Sequence, residues 1–217
     1  MARLIIDNRK GIPRESMRGK FITFEGIDGC GKTTVSRRVS ARLRKEGHKC
    51  AWTCEPTRSW LGDAVRRGWT ENVGPFTEAF LFMADRVEHV DWICSRMAGG
   101  SLVISDRYID STLAYQSAGL DDELAQGMMD WIRRAHLPFL LLPDMTLYLT
   151  VTPEIAMGRL AGRKGRTKFE KLAFLGKVAR NYDAIAALEP GRVKVVDASS
   201  GLNTVVERAL AEIRKVL

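Results

Sequence analysis

The chain contains no run of 18 or more apolar residues, so no membrane-spanning helix is expected. Its first residues also lack the apolar core of a secretory leader, and the reading is of a cytoplasmic protein without membrane attachment. Cysteines are few: Cys30, Cys50, Cys54 and Cys94 show no metal-ligand spacing, and Cys50 and Cys54 fall on an expected strand and its end. Reduced thiols follow. There is no internal repeat and no low-complexity linker, so the 217 residues are read as mainly one large domain that needs no staples. Aromatics are missing where charge is densest. Residues 1–20 carry six basic residues against two acidic, half of the net +8, and no aromatic side chain among them. Single-strand nucleic-acid binding, which stacks bases on rings, is therefore not expected. Residues 1–19 read as a basic, solvated, flexible extension ahead of a domain at 20–217. The rest of the positive excess suits polyanionic ligands.

What is present is organised around Lys20–Thr34, KFITFEGIDGCGKTT. Phe21, Ile22, Thr23 and Phe24 form a short β-prone run, as in a buried strand of a parallel sheet. Gly26, Ile27, Asp28, Gly29, Cys30, Gly31, Lys32 and Thr33 then complete a G-x-x-x-x-G-K-[ST] phosphate loop, and Thr34 continues into a helix. The glycines let backbone N–H groups converge on phosphate oxygens, and the helix points its positive end at the same anion. Lys32 is placed to reach the β/γ phosphates, and the Thr33 hydroxyl to ligate Mg²⁺. A chance glycine turn is the alternative, which the strand before it and the helix after it argue against. A nucleoside triphosphate ligand is expected.

Further strands are predicted at about 49–54, 101–105, 145–151 and 192–196, alternating with helices. The pattern predicts a three-layer α/β domain with a central, mostly five-stranded parallel sheet. Ligands of such sheets bind beyond the carboxyl ends of the strands, which selects Glu25–Thr33, Glu55–Arg58 and Asp106–Tyr108. Asp106 is a candidate Mg²⁺ organiser, with helix N-cap as the plainer reading. Arg107 is a planar double donor suited to clamping a phosphate. Phe82 and Arg86, four apart, share one face of a helix expected at 75–98, where a phenylalanine by itself more often belongs to the core. Tyr115 is open between pocket and core, and Ser111, Thr112 and Gln116 lie near it.

These segments are similar to the thymidylate kinase family, of P-loop NTPase fold. The resemblance is carried by FEGIDGCGKTT (24–34), EPT (55–57), FLFMADRVEH (80–89), ISDRYIDSTLAYQ (104–116), PDMTLYLTVTPEIA (143–156) and VVDAS (195–199). It implies transfer of the ATP γ-phosphoryl to dTMP and covers nearly all of 20–217. It further implies that Arg107 contacts the acceptor phosphate, Asp28 the acceptor sugar and phosphate region, and Tyr115 the deoxyribose. Phe82 would stack on thymine with Arg86 on its carbonyl, while Ala198 and Ser199 would lie near adenine. Glu55, Pro56 and Arg58 fall in the acceptor region. No basic residue lies among the variable loop positions, so the resemblance implies that Arg163 and Arg166, in a lid at about 159–170, supply the charge; a solvated cationic loop is the alternative. One departure stands out: Cys54 occupies a position where many relatives carry an arginine, leaving Arg58 or Arg66 to supply that charge and the base preference open to dUMP. Homodimers packing through the 75–98 helix are also implied. The rival readings are another nucleotide kinase of this architecture and a nucleotide-binding ATPase or switch.

Overall fold

The computed structural model describes residues 17–161 and 172–217. Five strands, β1 (Phe21–Glu25), β2 (Cys50–Cys54), β3 (Leu102–Asp106), β4 (Met145–Thr150) and β5 (Val193–Asp197), pair in the order β2-β3-β1-β4-β5. Every pairing is parallel. β1 and β3 are buried at every residue, which is why their sequences run apolar almost without alternation. This is the α/β sheet with flanking helices that the strand–helix alternation predicts.

The helices are α1 (Lys32–Lys45), α2 (Trp60–Thr70), α3 (Pro75–Ala98), α4 (Ile109–Ala118), α5 (Asp122–His136), α6 (Pro153–Leu160), α7 (Leu172–Leu188) and α8 (Leu202–Ile213). Their ends follow local chemistry. Ser59 caps α2 by accepting from the Gly62 N–H at 3.2 Å, and Thr152 caps α6 ahead of Pro153. α1 packs on α8, while α3, α4, α5 and α7 form a second contiguous group. At the amino-terminal margin of the described residues, Met17 packs on the core and the Gly19 N–H donates to the Met97 carbonyl at 3.0 Å.

Register does most of the positioning. Asp106 pairs with Phe24 on one side and Cys54 on the other, so β1, β3 and β2 end level. The ladder runs one residue further on both sides: Arg107 N–H donates to Phe24 O at 2.9 Å, and Glu55 N–H to Asp106 O at 3.0 Å. The segments beginning at Gly26, Glu55 and Arg107 therefore leave the sheet within a residue of one another. A buried ion pair ties down the opposite flank, with Arg192 donating to both Asp110 oxygens at 2.7 and 2.9 Å and to Thr146 Oγ at 2.6 Å.

Candidate active site

The phosphate loop is built as its glycines require. Gly29 sits at φ +87°, and a Cβ there would lie 2.3 Å from the Ala156 carbonyl oxygen; Gly31, at φ +99°, faces open space. α1 begins without a side-chain cap or an acidic residue in its first turn, leaving its amides for an anion. Lys32 Nζ donates to Ile27 O at 3.1 Å and lies 3.5 Å from Asp28 Oδ1. Thr33 Oγ donates to Asp106 Oδ2 at 2.5 Å, while Asp106 Oδ1 is buried without a hydrogen-bond partner. A hydroxyl beside an unsatisfied carboxylate oxygen fits a hard cation such as Mg²⁺. Among the described residues no group of three His, Cys, Asp or Glu makes an all-protein metal cage.

Arg107 faces this loop. Its backbone is left-handed, φ +74°, a conformation that costs a side-chain-bearing residue roughly 1–3 kcal/mol and persists only where the surroundings impose it. They do so here: Ser105 Oγ donates to Arg107 O at 2.7 Å, and the next N–H, of Tyr108, donates to Glu25 Oε1 at 2.7 Å. The guanidinium donates to Asp28 and to Ser111 Oγ (3.0 Å), and lies 4.9 Å over the Tyr115 ring. Burial alone would raise the Asp28 carboxyl, but Arg107 and Lys32 outweigh it and hold that carboxyl below its usual range. Glu25 supports the constellation from beneath, accepting from Ser111 Oγ at 2.5 Å and Tyr182 OH at 2.9 Å. Its burial, with Asp110 nearby, pushes it up to about 7.

A cavity of about 440 Å³ opens here, well within the size range of nucleotide-sized ligand pockets. Its polar end is lined by Asp28, Gly29, Gly31, Lys32, Thr33 and Thr34, with Arg107 and Ser111 opposite. Its other end is lined by Pro56, Trp69, Phe82, Tyr115 and Gln116. Arg159 also lines it, donating to the carbonyls of Cys30 (3.3 Å) and Ala198 (2.9 Å) and so bridging the loop to the segment after β5. Gly26, Ile27, Cys30, Ala198 and Ser199 adjoin the lining without belonging to it; Arg58 is exposed outside it. Arg163 and Arg166 lie outside the described residues.

Glu55, Arg86 and Thr112 form the wall behind the cavity. Arg86 is fully buried; its Nε and one terminal nitrogen donate to Glu55 Oε2 at 3.0 and 2.6 Å, and that nitrogen also donates to Thr112 Oγ at 2.9 Å. The other terminal nitrogen donates to His136 Nε2 at 2.6 Å, whose Nδ1–H donates to Ile132 O at 2.7 Å. Arg86 thus joins α3 to Glu55, to Thr112 of α4 and to His136 of α5. Glu55 also accepts from His89 Nδ1 at 2.9 Å, and Arg86 and His89 together outweigh its burial, keeping its carboxyl low. Asp85, next in sequence to Arg86, works in another direction. It accepts from Thr57 N–H at 2.7 Å and from the Thr57 and Ser59 hydroxyls, pinning the segment after Pro56.

His136 gives this wall a pH signature. Burial and the Arg86 charge push its pKa down to about 3, so the folded state keeps it neutral while the unfolded chain protonates near its usual 6.5. Its contribution is full above 6.5 and is lost as pH falls toward 3, at about 1.4 kcal/mol per pH unit for one proton. Glu25, raised, acts in the opposite sense between 4.5 and 7, so the wild-type profile alone conceals the effect. The expected result is that the stability gap between wild type and His136→Gln shrinks with acidification below pH 6.5 in urea titrations. A gap independent of pH contradicts it.

The sheet order, the loop at its centre and the hydroxyl–carboxylate pair beside it define a P-loop nucleotide-binding protein with a second cationic centre, Arg107, in the same cavity. The thymidylate kinase family model matches residues 24–209, most of the chain. A probable thymidylate kinase of Methanosarcina mazei is 39% identical over 199 residues, covering 91% of this chain and 96% of its own. Similar proteins of the same description come from Methanoculleus marisnigri (41% identical; 89% of this chain, 93% of the relative) and Halobacterium salinarum (40%; 88% and 95%). The chain belongs to the thymidylate kinase family.

Proposed function

We propose that this protein transfers the γ-phosphoryl group of ATP to the 5′-phosphate of dTMP, giving dTDP and ADP. The observation that carries the reading is the sharing of the Asp28 carboxylate between Lys32, on the loop side, and Arg107, on the next strand end, within one cavity. Two cations so placed suit two phosphate chains that must meet. The phosphate loop and Lys32 would bind the donor and Arg107 the acceptor, releasing Asp28 toward the acceptor sugar. Catalysis is then mainly positioning and charge stabilisation. An acceptor phosphate with a second pKa of about 6 is already ionised near neutrality, so no strong general base is needed.

Thr33 and Asp106 would hold Mg²⁺, which when bound neutralises charge on the donor phosphates. Arg163 and Arg166 are proposed to add positive charge over the transferring group. Arg159, spanning to Ala198, favours an adenine site beside Ala198 and Ser199. Phe82 and Tyr115 supply the faces on which base and deoxyribose would pack. A homodimer through α3 is favoured by Phe76 and Phe80, half exposed and stacked edge-on against Trp131. A cytoplasmic enzyme is inferred; among the described residues no helix is long and apolar enough to cross a membrane.

Coupled ADP release across dTMP, dUMP, UMP and dGMP tests the reaction. The expected order places dTMP first and UMP at least about tenfold lower, because Tyr115, in its proposed role under the deoxyribose, would leave a 2′-hydroxyl no room. UMP or dGMP outrunning dTMP, or ADP release indifferent to any acceptor, overturns the proposal.

A further inference from the structure

The aromatic end of the cavity contains one polar group whose orientation is fixed by a residue outside the lining. Gln116 is 2% exposed, and its Nε2 donates to Glu78 Oε2 at 3.0 Å. Its carbonyl Oε1 is buried with no hydrogen-bond partner. A carboxylate only accepts, so Glu78 obliges the amide to turn its NH₂ away from the pocket and leaves the carbonyl as the group on offer. Glu78 and Phe82 lie one turn apart on α3 and both are buried, which sets the amide beside the ring that forms the pocket face.

We propose that Glu78 is a positioning residue that makes this pocket select acceptor bases carrying a ring N–H. Resting on the dTMP reading above, the inference names what the site reads in the base. The imide N–H of thymine or uracil can donate to the fixed Gln116 carbonyl. Cytosine presents a lone pair at the same ring nitrogen, so the two acceptors oppose one another and both stay unpaired. A buried polar group made for a substrate N–H discriminates strongly against an analogue lacking it. Glu78 need not touch the substrate, because it acts by preventing the amide from flipping.

The test compares dTMP with 5-methyl-dCMP, which share size, sugar and methyl group and differ in the polarity of this edge. Wild type is expected to favour dTMP by about 100-fold or more in kcat/KM. In Glu78→Gln the new amide can donate to the Gln116 carbonyl, letting Gln116 turn its NH₂ inward, so that preference should fall about tenfold or more. General loosening of the pocket would slow both substrates together and leave the ratio intact. Glu78→Met, which removes the acceptor and frees the Gln116 amide to flip, should erode the ratio as well and decides the matter should Glu78→Gln not fold. An unchanged ratio in either folded variant overturns the role of Glu78. Failure of wild type to phosphorylate dTMP at all would instead sink the underlying reaction.

Discussion

Arg107→Ala is expected to lower kcat/KM for dTMP by about 10³-fold or more, the scale on which an arginine aimed at transferring phosphoryl groups contributes. The side chain reaches the cavity from a left-handed backbone held by Ser105 and flanked by the Glu25 contact, and it presents a planar fork to Asp28 and Ser111. Removing it leaves Asp28 facing only Lys32, so an incoming acceptor phosphate meets a carboxylate with one cation fewer to offset it. Arg107→Lys should fall between wild type and alanine, because an ammonium retains the charge but not the paired donors. Steady-state kinetics with thermal melts on the same samples distinguish lost function from lost fold. Activity of the alanine variant within tenfold of wild type would remove Arg107 from the proposed mechanism.

Glu55→Ala should destabilise the protein by about 3–5 kcal/mol, since it leaves the fully buried Arg86 guanidinium without its anion. For a chain of this size that corresponds to a melting temperature lower by roughly 10 °C. The loss should be much larger than for an exposed pair such as Arg67–Glu71, where solvent screens both groups. Combining Glu55→Ala with Arg86→Met should restore a large part of it, because an apolar side chain of similar length leaves no buried charge uncompensated. Urea denaturation of the three proteins measures this. A single-variant loss below about 1 kcal/mol would mean that water reaches Arg86 once the carboxylate is gone.

The parts of this molecule legible in the sequence are those encoded by contiguous residues. The apolar runs announce the five strands, since parallel strands buried on both faces need no alternation. The phosphate loop is a single segment, and Asp106-Arg107 at the end of an apolar strand follows from the rule that ligands meet carboxyl ends. The wall behind the cavity was not legible. Arg86 finds Glu55 and His136 at separations of 31 and 50 residues, and Glu25 finds Tyr182 at 157, distances at which helical or strand periodicity carries no information. The base-edge role of Arg86 is implied by the family resemblance alone, and its bonds to Glu55, Thr112 and His136 are contacts that no local pattern announces. Asp85, adjacent in sequence to Arg86, anchors the loop after Pro56 instead. Trp69 left no signal either: it reaches the cavity only because α2 packs on α3.

The twisted main chain at position 107 sets thermal robustness against turnover. Glycine would accept that backbone geometry without complaint, and a design protocol rewarding stability alone would choose it, discarding the guanidinium that the geometry exists to deliver. Heat-tolerant variants of this protein are therefore better sought away from the β3 exit, where comfort of the main chain and usefulness of the side chain do not compete.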